Sequence, residues 1–372
     1  EYQAGGKSTV IKVSERRFYL VHSRRAYNME IGKSLGSFRQ ISQFIDIPKS
    51  DLFTASESFL YYITETGVLE GRSPSGACVV SWNHEISRDV VKWNSHHEKS
   101  GFRFVREWDC LVVVTRSQVV AIPEKQFRDK AGLRTTNGRL DPKRMWIQSE
   151  AGVQFIVLVK LSKQDRWSWG TSFSLSKRFF VSSSGGWVNV RQVIFKGKLP
   201  FTFEQKRYAE LKTTPTEGEK SIVFKSFGHN DRYLIIAAQE KPSLRLQTLD
   251  AAYDSYFLRL YSAPALEVLG HDVHIPIQRV EREYGGNANF SQLPSTFHFI
   301  KTQTHTAVIS IGTISTVDLF IIHLNSLHHL QTNPIFSSCY SQLGSVVFQR
   351  EKSEIMMYFF NDRKVVSVKI TM

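Results

Sequence analysis

The chain has 372 residues, of which 41% are hydrophobic, 22% charged and 12% aromatic. That composition is globular and excludes a wholly disordered or collagen-like chain. Lys and Arg number 48 against 34 Asp and Glu, a net charge of +14, so an acidic or phosphate-bearing partner is expected.

Other classes fall away quickly. Cys78, Cys110 and Cys339 are odd in number and far apart, so a reducing, intracellular compartment is expected rather than a disulfide framework. No Cys-x-x-Cys pair offers a zinc ribbon. Dense apolar runs such as Phe155–Val159 and Leu319–Ile322 are far below the ~20 residues that span a bilayer. Asn289-Phe290-Ser291 is a lone glycosylation acceptor, a triplet that arises readily by chance.

Taken in chain order, the elements are short apolar runs rich in Val, Ile, Phe, Tyr and Thr, bounded by Gly, Ser, Asn or charge. That is the strand signature. Thr9–Ser14 opens the series. Arg17–His22 pairs with Ala26–Ile31, Phe59–Thr64 precedes Gly67–Leu69, and Ala77–Trp82 is followed by Asp89–Trp93. Cys110–Thr115 turns at Arg116-Ser117 into Gln118–Ile122. Phe203–Lys212 is the clearest helix candidate. Arg178–Ser183 turns at Ser184-Gly185-Gly186 into Trp187–Ile194, and Tyr233–Ala238 leads to Leu244–Thr248. Thr306–Ile311 leads to Ser315–Leu324, and Ile355–Phe360 turns into Lys364–Ile370. Connections this short are those of antiparallel hairpins.

About 28 candidate strands fall into about seven groups of four, roughly 50 residues each, which implies either a pair of sandwiches or a propeller. Radial repetition lets one domain reach this length without a second core. Tyr256–Ile275 reads YFLRLYSAPALEVLGHDVHI: a strand, a turn, a strand, then Gly270-His271-Asp272 leading onward. Arg17–Gln43 has the same rhythm, and Thr306–Gln331 repeats it with Asp318 inside the second strand. These segments resemble the outer part of a WD-repeat blade. The pattern is degenerate: Trp108-Asp109 precedes a strand instead of ending one, and Gly228-His229 is assigned to a loop. The resemblance implies a rigid platform for protein partners.

Charge is unevenly spread. From Asp250 to Met372 there are 9 basic and 10 acidic side chains, leaving 39 and 24 for residues 1–249. The densest basic stretch holds Lys125, Arg128, Lys130, Arg134, Arg139, Lys143 and Arg144 against Asp129 and Asp141. It reads as an inserted loop over about 123–144, able to neutralise phosphates, meet an acidic protein surface, or serve only as a solvated insertion. All seven Trp lie between Trp82 and Trp187. In Arg166-Trp167-Ser168-Trp169 the two indoles share one face of an extended segment, where they and Arg166 suit base or sugar stacking or packing between sheets.

Catalytic signals are weak. Ala4-Gly5-Gly6-Lys7-Ser8 resembles the tail of a phosphate-binding loop, but Glu1 stands where the first Gly belongs and a strand follows where a helix is needed. His96-His97-Glu98 and His271/His274 lack a third ligand at recognisable spacing. Gly-x-Ser-x-Gly is missing. No catalytic residue, metal or cofactor is assigned.

The expectation is an all-β fold over residues 1–372: a single propeller of seven four-stranded blades, with Thr9–Ser14 completing the last blade beside 355–370. The expected function is a non-enzymatic scaffold in a larger intracellular, nuclear assembly, with protein partners and DNA or RNA facing its basic two-thirds. The alternatives are a lectin-like propeller using Trp-rich 146–187, or a hydrolase with carboxylates in a central channel.

Overall fold

The computed structural model describes residues 9–371, apart from 15, 23, 35, 51, 95–100, 116, 131–152, 162–171, 185–186, 211–221, 241–254, 277–293, 302–304, 313–315, 335–345, 352–353 and 361–364. Among these residues 28 strands form seven antiparallel sheets that follow one another along the chain. Contacts divide the chain into two compact units.

The first unit comprises Glu1–Ser162, Ile194–Thr202 and Leu343–Met372. Its first sheet contains β1 (Thr9–Lys12), β2 (Arg17–His22), β3 (Arg25–Ile31), β4 (Phe38–Gln40) and β5 (Ile45–Asp46). The second contains β6 (Leu52–Ala55), β7 (Leu60–Ile63), β8 (Val68–Arg72) and β9 (Cys78–Asn83). After helix α1 (Glu85–Asn94) comes the third: β10 (Phe102–Val105), β11 (Cys110–Val114), β12 (Gln118–Pro123) and, beyond helix α2 (Lys125–Lys130), β13 (Ile156–Lys160). Neighbouring sheets bury apolar faces on each other. Ile11, Tyr19 and Val21 meet Ala55, Leu60 and Tyr62, and Tyr61, Ile63 and Trp82 meet Leu111, Val113 and Val120.

The second unit comprises Lys163–Val193 and Phe203–Gln342. The fourth sheet is built from β14 (Ser172–Leu175), β15 (Phe179–Ser184), β16 (Trp187–Lys196) and β17 (Leu199–Glu210); the hairpin tip Ile194–Thr202 belongs to the first unit. The fifth holds β18 (Ile222–His229), β19 (Tyr233–Glu240), β20 (Ser255–Ser262) and β21 (Val268–Pro276). The sixth holds β22 (Pro294–Lys301), β23 (Thr306–Gly312), β24 (Thr316–His323) and β25 (Ser326–Pro334). Val181 and Val190 pack against Leu234 and Ile236, and Ile235 and Leu258 against Val308 and Phe320.

The seventh sheet has three strands, β26 (Val346–Glu351), β27 (Glu354–Phe360) and β28 (Val365–Thr371). It returns to the first sheet within the first unit. The Gly36 N–H donates to the Tyr358 hydroxyl at 2.7 Å, and the Phe38 and Tyr358 rings meet edge-on at 4.9 Å.

Several expectations need correction. Among the described residues five of the seven sheets have the expected four strands, while the first has five and the last three. Thr9–Lys12 pairs with Phe18–Val21 instead of joining the last sheet, because Arg17 follows within hairpin distance and Val13 and Ser14 both donate to its carbonyl. Asp89–Trp93 is helical. Ile86 and Val90 stand four residues apart, share a helix face and are buried. Ser87 Oγ ties that helix to the Gly67 carbonyl, and the Ile86 N–H donates to His84 Nδ1. Phe203–Glu210 continues strand β17 and is not a helix. Gly228-His229 ends β18 and does not lie in a loop; a Cβ at Gly228 would come within 2.5 Å of Phe297 Cβ. Gly270-His271-Asp272 lies inside β21, where Asp272 takes two hydrogen bonds from Arg259 at 2.7 and 2.6 Å. Leu244–Thr248 lies outside the described residues.

Candidate functional site

The basic stretch leaves the third sheet between β12 and β13, which are paired neighbours. The structure describes both ends of this excursion. After the buried run Val119–Ile122, the chain turns at Glu124, whose carbonyl accepts the Phe127 and Arg128 N–H groups and starts α2. The stretch therefore begins as a helix, a correction to the extended loop expected from position 123. Phe127 fixes that helix to the core shared by the second and third sheets.

A charged cluster holds the turn. Only 1% of the Glu124 side chain is exposed. Its Oε1 accepts the Tyr61 hydroxyl at 2.8 Å and its Oε2 the Arg128 Nη1 at 2.6 Å. Arg128 also grips Asp109 with both terminal nitrogens. Asp109 can present its carboxylate there because it adopts a left-handed conformation (φ 49°) at the end of the Arg106–Trp108 turn. Burial raises the Glu124 carboxyl above its ordinary value, against hydrogen bonds from Ser56 and Tyr61 and the Arg128 charge. Burial and the Glu124 charge hold the Tyr61 phenol protonated. Hydrogen bonding to Asp109 is the main force keeping Arg128 charged.

The far end is held as well. Gln126 Nε2 donates to the Gln154 carbonyl at 2.8 Å, and Gln126 Oε1 accepts the Gln154 N–H at 2.8 Å. Phe155, next in the chain, packs on the same core beside Trp82 and His84. The excursion thus leaves and returns at one pinned base.

Of the seven predicted basic residues, Lys125 is exposed on α2, Arg128 is spent on the internal cluster, and Lys130 ends the helix. Arg134, Arg139, Lys143 and Arg144 lie outside the described residues, as do Arg166, Trp167 and Trp169 of the expected stacking face. Trp82 and Trp108 are buried, whereas Trp187 is partly exposed and stacks on Tyr208 at 4.8 Å. Spacing could not reveal the Tyr61–Glu124–Arg128–Asp109 cluster, whose members come from three parts of the chain. An acid and an arginine four apart, Glu124 and Arg128, were its one local signal.

Comparison with known proteins bears on the fold. No family model matches the chain, and no curated protein matches its sequence. Solved structures do match. A chain from the S. cerevisiae complex of Dbp5 bound to Nup159 and Gle1 shares 11% identity at a TM-score of 0.53, covering 98% of this chain and 89% of that one. The Neurospora crassa Pan2 WD40 domain shares 12% at 0.52, covering 99% and 90%. The N-terminal domain of Nup159 shares 10% at 0.52, covering 97% and 88%. At such identity the likeness is one of fold: this chain has an all-β, propeller-type fold that resembles WD-repeat propellers. Among the described residues no helix is long and apolar enough to cross a membrane.

Proposed function

We propose that the protein is a non-enzymatic platform within a larger intracellular, nuclear assembly. Protein partners dock on its sheets, and its basic insertion faces an acidic or phosphate-bearing surface such as nucleic acid. The observation that carries this reading is the pinned base. Six basic residues, Lys125, Lys130, Arg134, Arg139, Lys143 and Arg144, belong to an excursion whose two ends are fixed to a buried core. A cationic segment on a rigid scaffold pays less ordering entropy on binding than one on a free tail. Two similar folds carry assembly or domain names of the Nup159 system, one in a multi-protein complex, which supports a platform role.

Affinity capture from a native extract tests the reading. The tagged chain should elute in a particle well above its own 42.7 kDa, with partners in fixed proportion. A lone chain with no partner in fixed proportion would overturn it.

A further inference from the structure

The hairpin of β16 and β17 ends in a two-residue turn, Gly197-Lys198, with Gly197 at φ 65°. A Cβ at Gly197 would meet nothing within 4 Å, so the turn faces open space. Leu199 and Phe201 share one face of the strand and are 39% and 54% exposed. Lys196 Nζ stands 5.7 Å over the Phe201 ring. Phe195 leans edge-on against Trp108 at 6.0 Å yet stays partly exposed. Thr202 Oγ1 donates to the Leu158 carbonyl at 3.1 Å, fixing the tip to β13 next to exposed Val157 and Lys160. Exposed apolar side chains gathered on one rigid feature mark an interaction site more often than scattered ones do.

We infer that this hairpin tip is a docking surface for an acidic linear peptide bearing apolar side chains; the inference rests on the platform reading and names one class of partner. Charge sets the sign: Ile194–Thr202 holds two lysines and no acid, with Lys160 on the strand beneath. The apolar groups set the class. Leu199 and Val157 are aliphatic and find no complement on a phosphodiester. Phe201, the most exposed ring of the tip, already has one face covered by an ammonium, so it is poorly placed as a base-stacking platform. An extended peptide alternating acids with Leu or Phe satisfies both features, its carboxylates meeting Lys196 and Lys198 while its apolar side chains cover Leu199 and Phe201.

The test selects a displayed random-peptide library on the full chain, then titrates the winning peptides as labelled probes. The enriched pool should be rich in Asp, Glu, Leu and Phe. The double substitution Leu199→Ser/Phe201→Ser should weaken those peptides about tenfold, about 1.4 kcal/mol. Lys196→Glu/Lys198→Glu should weaken them several-fold and remove their salt dependence. Both variants alter only exposed side chains, and thermal melts verify that they fold. Neutralising the six basic insertion residues should leave peptide binding unchanged. No enrichment, a pool without acidic bias, or peptides indifferent to the double substitution would overturn the inference. So would an oligo-dT probe that depends on Phe201, which would assign the surface to nucleic acid. The two proposals fail separately: an assembly that forms while the peptides fail sinks only the docking surface, and peptides that bind where no assembly is captured sink only the platform.

Discussion

Gln126 and Gln154, 28 positions apart, hold each other through a side-chain amide that satisfies both backbone groups of its partner. The pairing closes the base of the basic excursion. Gln126→Ala should cost about 1 kcal/mol, since each net hydrogen bond contributes roughly 0.5–1.5 kcal/mol and these lie at the surface. Amide exchange at Gln154 should quicken. Unchanged exchange there would show that Phe127 and Phe155 hold the base without the clamp.

The base also separates structural from partner-facing charge. Arg128→Met leaves the Glu124 and Asp109 carboxylates without their cation. Breaking a buried pair from one side costs about 3–5 kcal/mol, and partial exposure of Arg128 lowers the expectation to about 2–3 kcal/mol. Lys125→Met, one turn away and exposed, should stay within about 0.5 kcal/mol of wild type. Chemical denaturation of the two variants checks the contrast, and equal effects would contradict the geometry.

Glu124 also makes stability depend on pH. Its carboxyl titrates above the ordinary value of 4.5 because burial outweighs its hydrogen bonds. The folded chain therefore binds that proton more tightly than the unfolded one. The contribution is fully present below about pH 4.5 and is lost as pH rises through the folded pKa. Glu124→Gln cannot titrate. The melting-temperature difference between wild type and variant should shift towards the wild type as pH falls from about 7 to about 4.5. A difference that stays flat, or shifts the other way, contradicts the assignment.

Gly228 and Phe297 make the corresponding test in the second unit. A methyl at Gly228 would come within 2.5 Å of Phe297 Cβ, so Gly228→Ala should cost about 1–3 kcal/mol by overpacking. Phe297→Gly in the same chain removes that Cβ and should recover part of the loss, a coupling that a double-mutant cycle measures. Additive effects would mean that the two sheets do not meet there.

Much of the fold is legible in the sequence because hairpins are local. Cys110–Val114 and Gln118–Pro123 announce themselves by β-branched runs and a short polar turn, and they pair residue for residue. The misreadings have physical reasons. Asp89-Val90-Val91 looks like a strand until Ile86 and Val90 are seen to bury one helix face. Glu204–Arg207 looks helical because this last strand of its sheet is exposed along that run and carries no alternation. The basic stretch shows in composition alone. Which of its charges is free to act does not: Arg128 reads like its neighbours until Asp109, placed by a left-handed turn 19 positions earlier, is seen to hold it.

The central claim is that the basic insertion meets phosphate or carboxylate outside the molecule, and the most direct measurement is fluorescence anisotropy of labelled single- and double-stranded nucleic acid at about 50 and about 200 mM salt. The variant to compare neutralises Lys125, Lys130, Arg134, Arg139, Lys143 and Arg144 and spares Arg128. If all six contact phosphate on a duplex, wild-type affinity should fall about 10³-fold between the two salts, and the variant's dependence should flatten. No binding at about 50 mM, or the same salt slope in both proteins, would contradict a phosphate-facing role for the insertion.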